Sequence, residues 1–218
     1  MNDYRTRFLA AALKAQALRF GEFTLKSGRV SPYFFNAGHF DSGAALAALG
    51  RAYADAVAAA GIGFDLLFGP AYKGIPLATA TACAMASDGR DVPVAFNRKE
   101  AKSHGEGGQL IGAPMAGKRV LIVDDVITAG TAIREAIGMI HAANGQVAGI
   151  VIGLDRQEIV RDGDPRSAAQ GVADEHRVPV IAVASLSDLL DFSRENTDLV
   201  AWHESLVAYR GRYGAKAD

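Results

Sequence analysis

The sequence predicts an α/β protein: a mostly parallel central sheet flanked by helices, with a small N-terminal cap, or hood. Three observations carry that expectation. Strand-length apolar runs at residues 64 to 68, 92 to 96, 120 to 123, 147 to 154 and 178 to 184 alternate with stretches of helical period. Such alternation implies parallel strands with helices on both faces. Several runs also end in glycines or charged residues, and ligands of open α/β sheets bind at the carboxyl ends of strands.

Each element has its own signal. Residues 3 to 18 show helical spacing at Phe8, Leu9, Ala12 and Leu13. Residues 19 to 36 carry Phe20, Phe23, Phe34 and Phe35, with turn signals at Ser27-Gly28 and Ser31-Pro32, and read as short strands of the cap. The Ala-rich stretch 42 to 60 is a helix stopped by Gly61, and 74 to 86 is the next helix. Residues 97 to 109 have no apolar period and are expected to form a mobile loop. The run at 120 to 123 leads into a helix over 130 to 143, whose apolar face is Ala132, Ile133, Ala136, Ile137 and Ile140. After the last strand, short helices complete the chain.

The bulk numbers bound the function. A chain of 218 residues, half of them hydrophobic, suits one domain with a sizeable core. A net charge of −1 and a pI of about 6.5 give no whole-molecule attraction to nucleic acid or membrane, so any polyanion site must come from local basic clusters. The single cysteine, Cys83, is expected to be a buried small hydrophobe. No signal peptide is evident and no apolar run is long enough to span a bilayer, so a cytoplasmic protein is the expectation. His39, His141, His176 and His203 lack metal-ligand spacing.

Residues 120 to 132 are the most informative segment. Four apolar residues lead into Asp124 and Asp125; Val126 and Ile127 follow, then the small turn Thr128, Ala129, Gly130, Thr131, and a helix begins at Ala132. This reads as a buried strand, a carboxylate pair at its end, a tight turn and a helix N-terminus, whose unpaired amides and dipole favour phosphate. The turn has little bulk to keep a phosphate from the backbone, and the threonine hydroxyls can donate to phosphate oxygens or cap the helix. Two carboxylates repel phosphate and suit sugar hydroxyls, a developing cation or Mg²⁺. The pattern calls for a ligand with a phosphate, a diol and a metal; an acidic strand end with a well-capped helix is the bland alternative.

Two further loops concentrate chemistry. The turn from Gly69 to Gly74 offers glycines and Lys73 near a helix N-terminus. The loop 97 to 108 places Arg98, Lys99, Lys102 and His104 beside three glycines. Such positioned cations can stabilise a strongly anionic group, and glycines would let the loop close and exclude water. Gly112 to Lys118 imitates a P-loop, but Arg119 stands where Ser or Thr should follow and the stretch precedes a strand, so it reads as a surface turn.

Residues 120 to 132 closely resemble the phosphoribosyl pyrophosphate (PRPP) signature of the type I phosphoribosyltransferases, a hydrophobic run, two acids and a small Thr/Gly-rich turn. Residues 20 to 29 with 31 to 36, the basic loop 97 to 108, and 154 to 158 resemble the members of that family whose base is orotate. The likeness covers most of residues 4 to 158 and loosens beyond. It implies a single domain over 1 to 218, with residues 1 to about 40 capping the base site. It implies that Lys26, Tyr72, Lys73, Arg98, Lys99, Lys102, His104, Asp124, Asp125, Val126, Ile127, Thr128, Ala129, Gly130, Thr131 and Ala132 bind PRPP. Lys26, Phe34, Phe35, Thr128 and Arg156 would bind orotate, with Arg156 gripping its carboxylate. Lys102, His104, Asp124 and Asp125 would be catalytic. Mg²⁺ would arrive mainly with PRPP and water, with no firm protein ligand. The resemblance also implies a homodimer whose 97 to 108 loop reaches the partner's site. Two alternatives stay open: a phosphoribosyltransferase for a purine base, which would need different residues near 26 to 36 and 156, and a PRPP-binding regulator, which would lack the catalytic loop and carry a nucleic-acid-binding region.

Overall fold

The computed structural model describes residues 3–25, 27–102, 108–161 and 163–215, without the side chains of residues 101 and 102. Helix α1 (Tyr4–Lys14) opens the chain, capped by Asp3. It ends earlier than its periodicity predicts because Gln16 takes a left-handed φ of 55°, which turns the chain into β1 (Leu18–Thr24). β1 pairs antiparallel with β2 (Val30–Phe35) as a separate two-stranded sheet, matching the short strands read from residues 19 to 36.

The main sheet is six-stranded and mostly parallel, as expected. Its strands are β3 (Leu66–Gly69), β4 (Val94–Lys102), β5 (Gly108–Gly112), β6 (Arg119–Asp124), β7 (Gln146–Asp155) and β8 (Val180–Ser185), in the order β5-β4-β3-β6-β7-β8. Only the β4–β5 pairing is antiparallel. Here the structure corrects the loop expected over 97 to 109: its flanks are the two arms of a hairpin. On the outer part of β4, Lys99 and Glu100 stand in water, so this stretch needs no apolar alternation and offered none to read.

Helices cover both faces. α2 (Gly43–Ala60) and α3 (Gly74–Ser87) lie on one, α4 (Thr131–Ala142) and α5 (Ala168–His176) on the other. Alternate strand residues feed the two cores. Leu67, Leu121, Val123 and Val151 face α2 and α3, and Leu66, Phe68, Val120, Ile122, Ile150 and Ile152 face α4 and α5. Gly61 ends α2 at φ 65°, as predicted. α6 (Leu186–Glu195) and α7 (Val200–Tyr213) finish the chain, α6 with a capping box from Ser185 and Asp188.

Cys83 departs from its expectation and is exposed. α3 is rich in small apolar residues around its whole circumference, so periodicity does not say which side is buried. Leu77, Ala78, Thr81 and Met85 take the core side, and Cys83 falls opposite.

The strand order reverses beside β3. From β3 the chain runs outward to β4, then returns to lay β6 on the other side of β3. Connections leaving β3 and β6 therefore diverge and open a crevice at their carboxyl ends, where ligands of such sheets bind.

Candidate active site

Both chemistry-bearing turns predicted from sequence open into that crevice. The loop after β3 runs through Pro70, Ala71, Tyr72 and Lys73; the Ala71–Tyr72 peptide bond is cis. Its two glycines are forced by proximity: a Cβ on Gly69 would stand 2.2 Å from the carbonyl oxygen of Gly74, and one on Gly74 would stand 2.5 Å from Pro70. Asn97 of β4, buried, accepts the Ala71 amide through Oδ1 at 2.8 Å. Tyr72 is exposed, with the Lys99 ammonium 5.3 Å from its ring centre.

Across the crevice stand Asp124 and Asp125. Asp124 is buried; its Oδ1 accepts the Asp125 amide at 2.9 Å, and its carbonyl oxygen accepts the Tyr53 hydroxyl at 2.8 Å. Burial, followed by the neighbouring Asp125 charge, pushes its carboxyl up to about 7. Asp125 accepts the Val126 amide at 2.9 Å and the Lys73 ammonium at 2.7 Å. That ion pair spans the switch point, so a charged ligand entering here meets a cation and an anion already in contact.

The 126–131 turn is bound on its outer side and open on its inner side. Ile127 is part of the core, so its contribution to a ligand is its backbone. Gly130 holds φ 75°. Arg134 braces the turn by donating to the Ala129 carbonyl at 2.8 Å while pairing with Glu175. No side chain caps α4, and Thr128, Ala129, Thr131 and Ala132 are exposed. Of the two roles open to the threonines, capping is not taken, which leaves their hydroxyls and the first helical amides available to an anion.

Arg156 follows directly from the end of β7. The Gly153 and Leu154 amides both donate to the Asp125 carbonyl, at 2.9 and 3.2 Å, which ties this strand end to the carboxylate pair. The structure separates the two phenylalanines. Phe35 is buried, its ring 5.9 Å from that of Phe8, whereas Phe34 is half-buried on the opposite face of β2, beside Phe23. Alternation along a strand allows only one of two adjacent side chains to face a ligand, so Phe35 can offer its backbone there while its ring packs in the core. Arg98 and Lys99 lie on β4 at the crevice's outer edge. Lys26, His104 and the side chain of Lys102 fall outside the described residues. Sequence reasoning missed Tyr53, whose signal is a lone tyrosine in an alanine-rich helix; it also missed Arg134, and the anchoring work of Asn97.

Two carboxylates and an uncapped helix N-terminus, facing a lysine across a switch point, define a protein that binds a phosphorylated sugar. The family comparison agrees: residues 40–164 match the phosphoribosyl transferase domain, and the chain belongs to that family. Among its curated relatives, the orotate phosphoribosyltransferase of Xanthomonas oryzae pv. oryzae is 72% identical over 214 residues, 98% of each chain. That of Stenotrophomonas maltophilia is 68% identical over 217 residues, 100% of this chain and 99% of the other. Among solved structures, the orotate phosphoribosyltransferase of Francisella tularensis superposes with a TM-score of 0.85 at 44% identity, over 95% of this chain and 98% of that one. The Mycobacterium tuberculosis orotate phosphoribosyltransferase in complex with PRPP does so with a TM-score of 0.63 at 25% identity, over 84% and 98%. Within the family, the chain stands among the orotate phosphoribosyltransferases.

Proposed function

We infer that the chain transfers the ribose 5-phosphate group of PRPP to orotate, giving orotidine 5′-monophosphate and pyrophosphate, in pyrimidine nucleotide synthesis. The observation that carries the site assignment is the open 126–131 turn beside the Asp124–Asp125 pair at the strand-order reversal. In this reading the 5′-phosphate takes the free amides of the turn and the hydroxyls of Thr128 and Thr131. Asp124 and Asp125 take the ribose hydroxyls. Lys73 leaves Asp125 for the pyrophosphate, joined by Tyr72, Arg98, Lys99, Lys102 and His104. As the bond from C1′ to pyrophosphate weakens, the ribose gains oxocarbenium character beside the two carboxylates, and the lysines meet the charge on the leaving group. Orotate lies under the cap built from residues 1 to about 40, against Lys26, Phe34, the backbone at Phe35, Thr128 and Arg156.

Mg²⁺ is the ion this reading calls for, and the donors fit a hard cation. Two carboxylates stand at the site, and among the described residues no cluster of three or more His, Cys, Asp or Glu side chains forms a protein cage. Oxygens of PRPP and water would hold it in the main, and it would supply neutralising charge at the pyrophosphate. The reading includes a homodimer in which the β4–β5 hairpin serves the partner's site. β5 is an edge strand, and Leu110 upon it and Tyr72 nearby are exposed large hydrophobics, a surface that a second copy would cover. No described helix is long and apolar enough to cross a membrane; a cytoplasmic location belongs to the same reading.

The test is loss of orotate absorbance in purified protein supplied with PRPP and Mg²⁺, against hypoxanthine, guanine and uracil. Orotate consumption that needs both PRPP and Mg²⁺ is the expected result. Turnover of another base would overturn the base assignment and keep the PRPP site; PRPP binding with no base consumed would point to a regulator.

A further inference from the structure

Arg156 is held by segments drawn from both ends of the chain. Its Nε and Nη2 both meet Glu158 Oε1, at 2.8 and 2.7 Å, and its guanidinium carbon lies 4.9 Å from the ring centre of Tyr33. The Tyr209 hydroxyl on α7 donates to the same Glu158 oxygen at 2.9 Å. The other Glu158 oxygen is 3.6 Å from Arg29 Nη1, which also donates to the Ile159 carbonyl at 2.9 Å. The backbone is pinned as well: Ile159 donates to the Tyr213 carbonyl at 2.9 Å, and Ala215 to that of Gln157 at 2.7 Å. Arg156 and Glu158 are nearly enclosed, with side-chain exposures of 12% and 14%.

This geometry commits Nε to Glu158, and Nη2 lies between the same carboxylate oxygen, at 2.7 Å, and the Tyr209 hydroxyl oxygen, to which it donates at 3.4 Å. Nη1 has no hydrogen-bond partner among the described residues, so the Nη1 end of the guanidinium remains for a ligand carboxylate, and the long Nη2–Tyr209 bond is the one such a ligand would displace. Two guanidiniums, Arg29 and Arg156, flank Glu158, with the half-buried Asp155 next in the chain as a second carboxylate. The converging residues are informative by position. Arg29 and Tyr33 precede residues 40–164 matched by the family as a whole, and Tyr209 and Tyr213 follow them.

We propose that Glu158, steadied by Tyr209 from the C-terminal helix, is the positioning residue that turns Arg156 end-on toward the carboxylate of orotate, so that α7 acts as part of the base-recognition apparatus. The inference rests on Arg156 being the orotate-carboxylate group.

Steady-state kinetics in both substrates test it with four variants: Arg156→Ala, Glu158→Gln, Tyr209→Phe and the double Arg156→Ala/Glu158→Gln. Glu158→Gln raises KM for orotate about 10-fold, the effect of weakening one charge-assisted contact. Tyr209→Phe, which keeps the ring packing, raises it by a smaller factor. KM for PRPP stays at the parent value in both, while the thermal midpoint falls by a few degrees in Glu158→Gln, which leaves two enclosed guanidiniums without their carboxylate. In the Arg156→Ala background the Glu158 change has no further effect, because it acts through the arginine. An impaired Arg156→Ala with an unchanged orotate KM in Glu158→Gln would overturn the proposal, as would full additivity in the double variant. A normal orotate KM in Arg156→Ala would instead remove Arg156 from carboxylate binding, a failure of the underlying reading.

Discussion

Asp124 shows at single-residue scale how the site trades stability for charge. A carboxyl held at about 7 against an ordinary 3.8 keeps its proton longer when folded than when unfolded. The stabilising difference is present below the unfolded value and is lost as pH rises through the folded one. A shift of that size corresponds to roughly 4 kcal/mol lost between about pH 4 and pH 7. A bound ribosyl cation or Mg²⁺ would draw the proton off, so the charge appears where the transition state needs it. Asp124→Asn keeps an oxygen for the Asp125 amide and removes the buried charge. Urea unfolding of this variant shows a flatter pH profile than the parent and a stability at pH 8 higher by roughly 1–3 kcal/mol, while turnover falls by two orders of magnitude or more, as for loss of a preorganised charge (about 10²-fold). Parallel pH profiles for the two proteins would show that burial of Asp124 is not the cause. The pair of acids was legible in the sequence as chemistry; its raised affinity for protons was not, because that depends on Tyr53 and α2 closing over it.

At the scale of elements, the strand-turn-helix at β6 and α4 was legible almost to the residue, since apolar run, acids, small turn and helical face follow one another in sequence. Gly130 is its hinge. Its φ of 75° is left-handed, and a Cβ there would stand 2.9 Å from Val172 on α5 and 3.0 Å from Arg134 Nη1. Gly130→Ala therefore meets a backbone penalty of about 1 kcal/mol and pushes on the brace that shapes the turn. The expected result is a KM for PRPP at least about 10-fold higher with a small loss of thermal stability; an unchanged KM would mean that the turn does not seat the phosphate. Elements whose order comes from distant partners were less legible. β5 exists because β4 offers it a ladder, and α5 packs over the α4 face through Ala169 and Val172, although its capping box at Ser167 and Gln170 was there to be read. Cys83 is the same lesson on one helix: without a polar face, a sequence does not declare which side is buried.

Over the whole molecule, legibility falls with separation along the chain. The sheet class and the switch-point site follow from local runs, whereas the cluster of Arg29, Tyr33, Arg156, Glu158 and Tyr209 unites residues up to 180 positions apart and needed coordinates. Subunit organisation lies one step further out and is open to a direct test. If the β4–β5 hairpin completes the partner's site, Lys102→Ala and Asp125→Asn damage different halves of one composite site. Each homodimer is then inactive: Lys102→Ala loses roughly 10²- to 10³-fold in kcat, as expected for one charge-stabilising donor. In a mixed dimer, the Asp125→Asn subunit lends its intact hairpin to the Lys102→Ala subunit, whose carboxylates are intact, and one of two sites is whole. Random reassortment makes roughly half of all dimers mixed, so activity returns to about a quarter of the parent value. The measurement is orotate consumption after the variants are mixed and subunit exchange is verified by mass. Exchange without recovered activity would confine each site to one chain, and the hairpin would then have to close over the switch point of its own sheet.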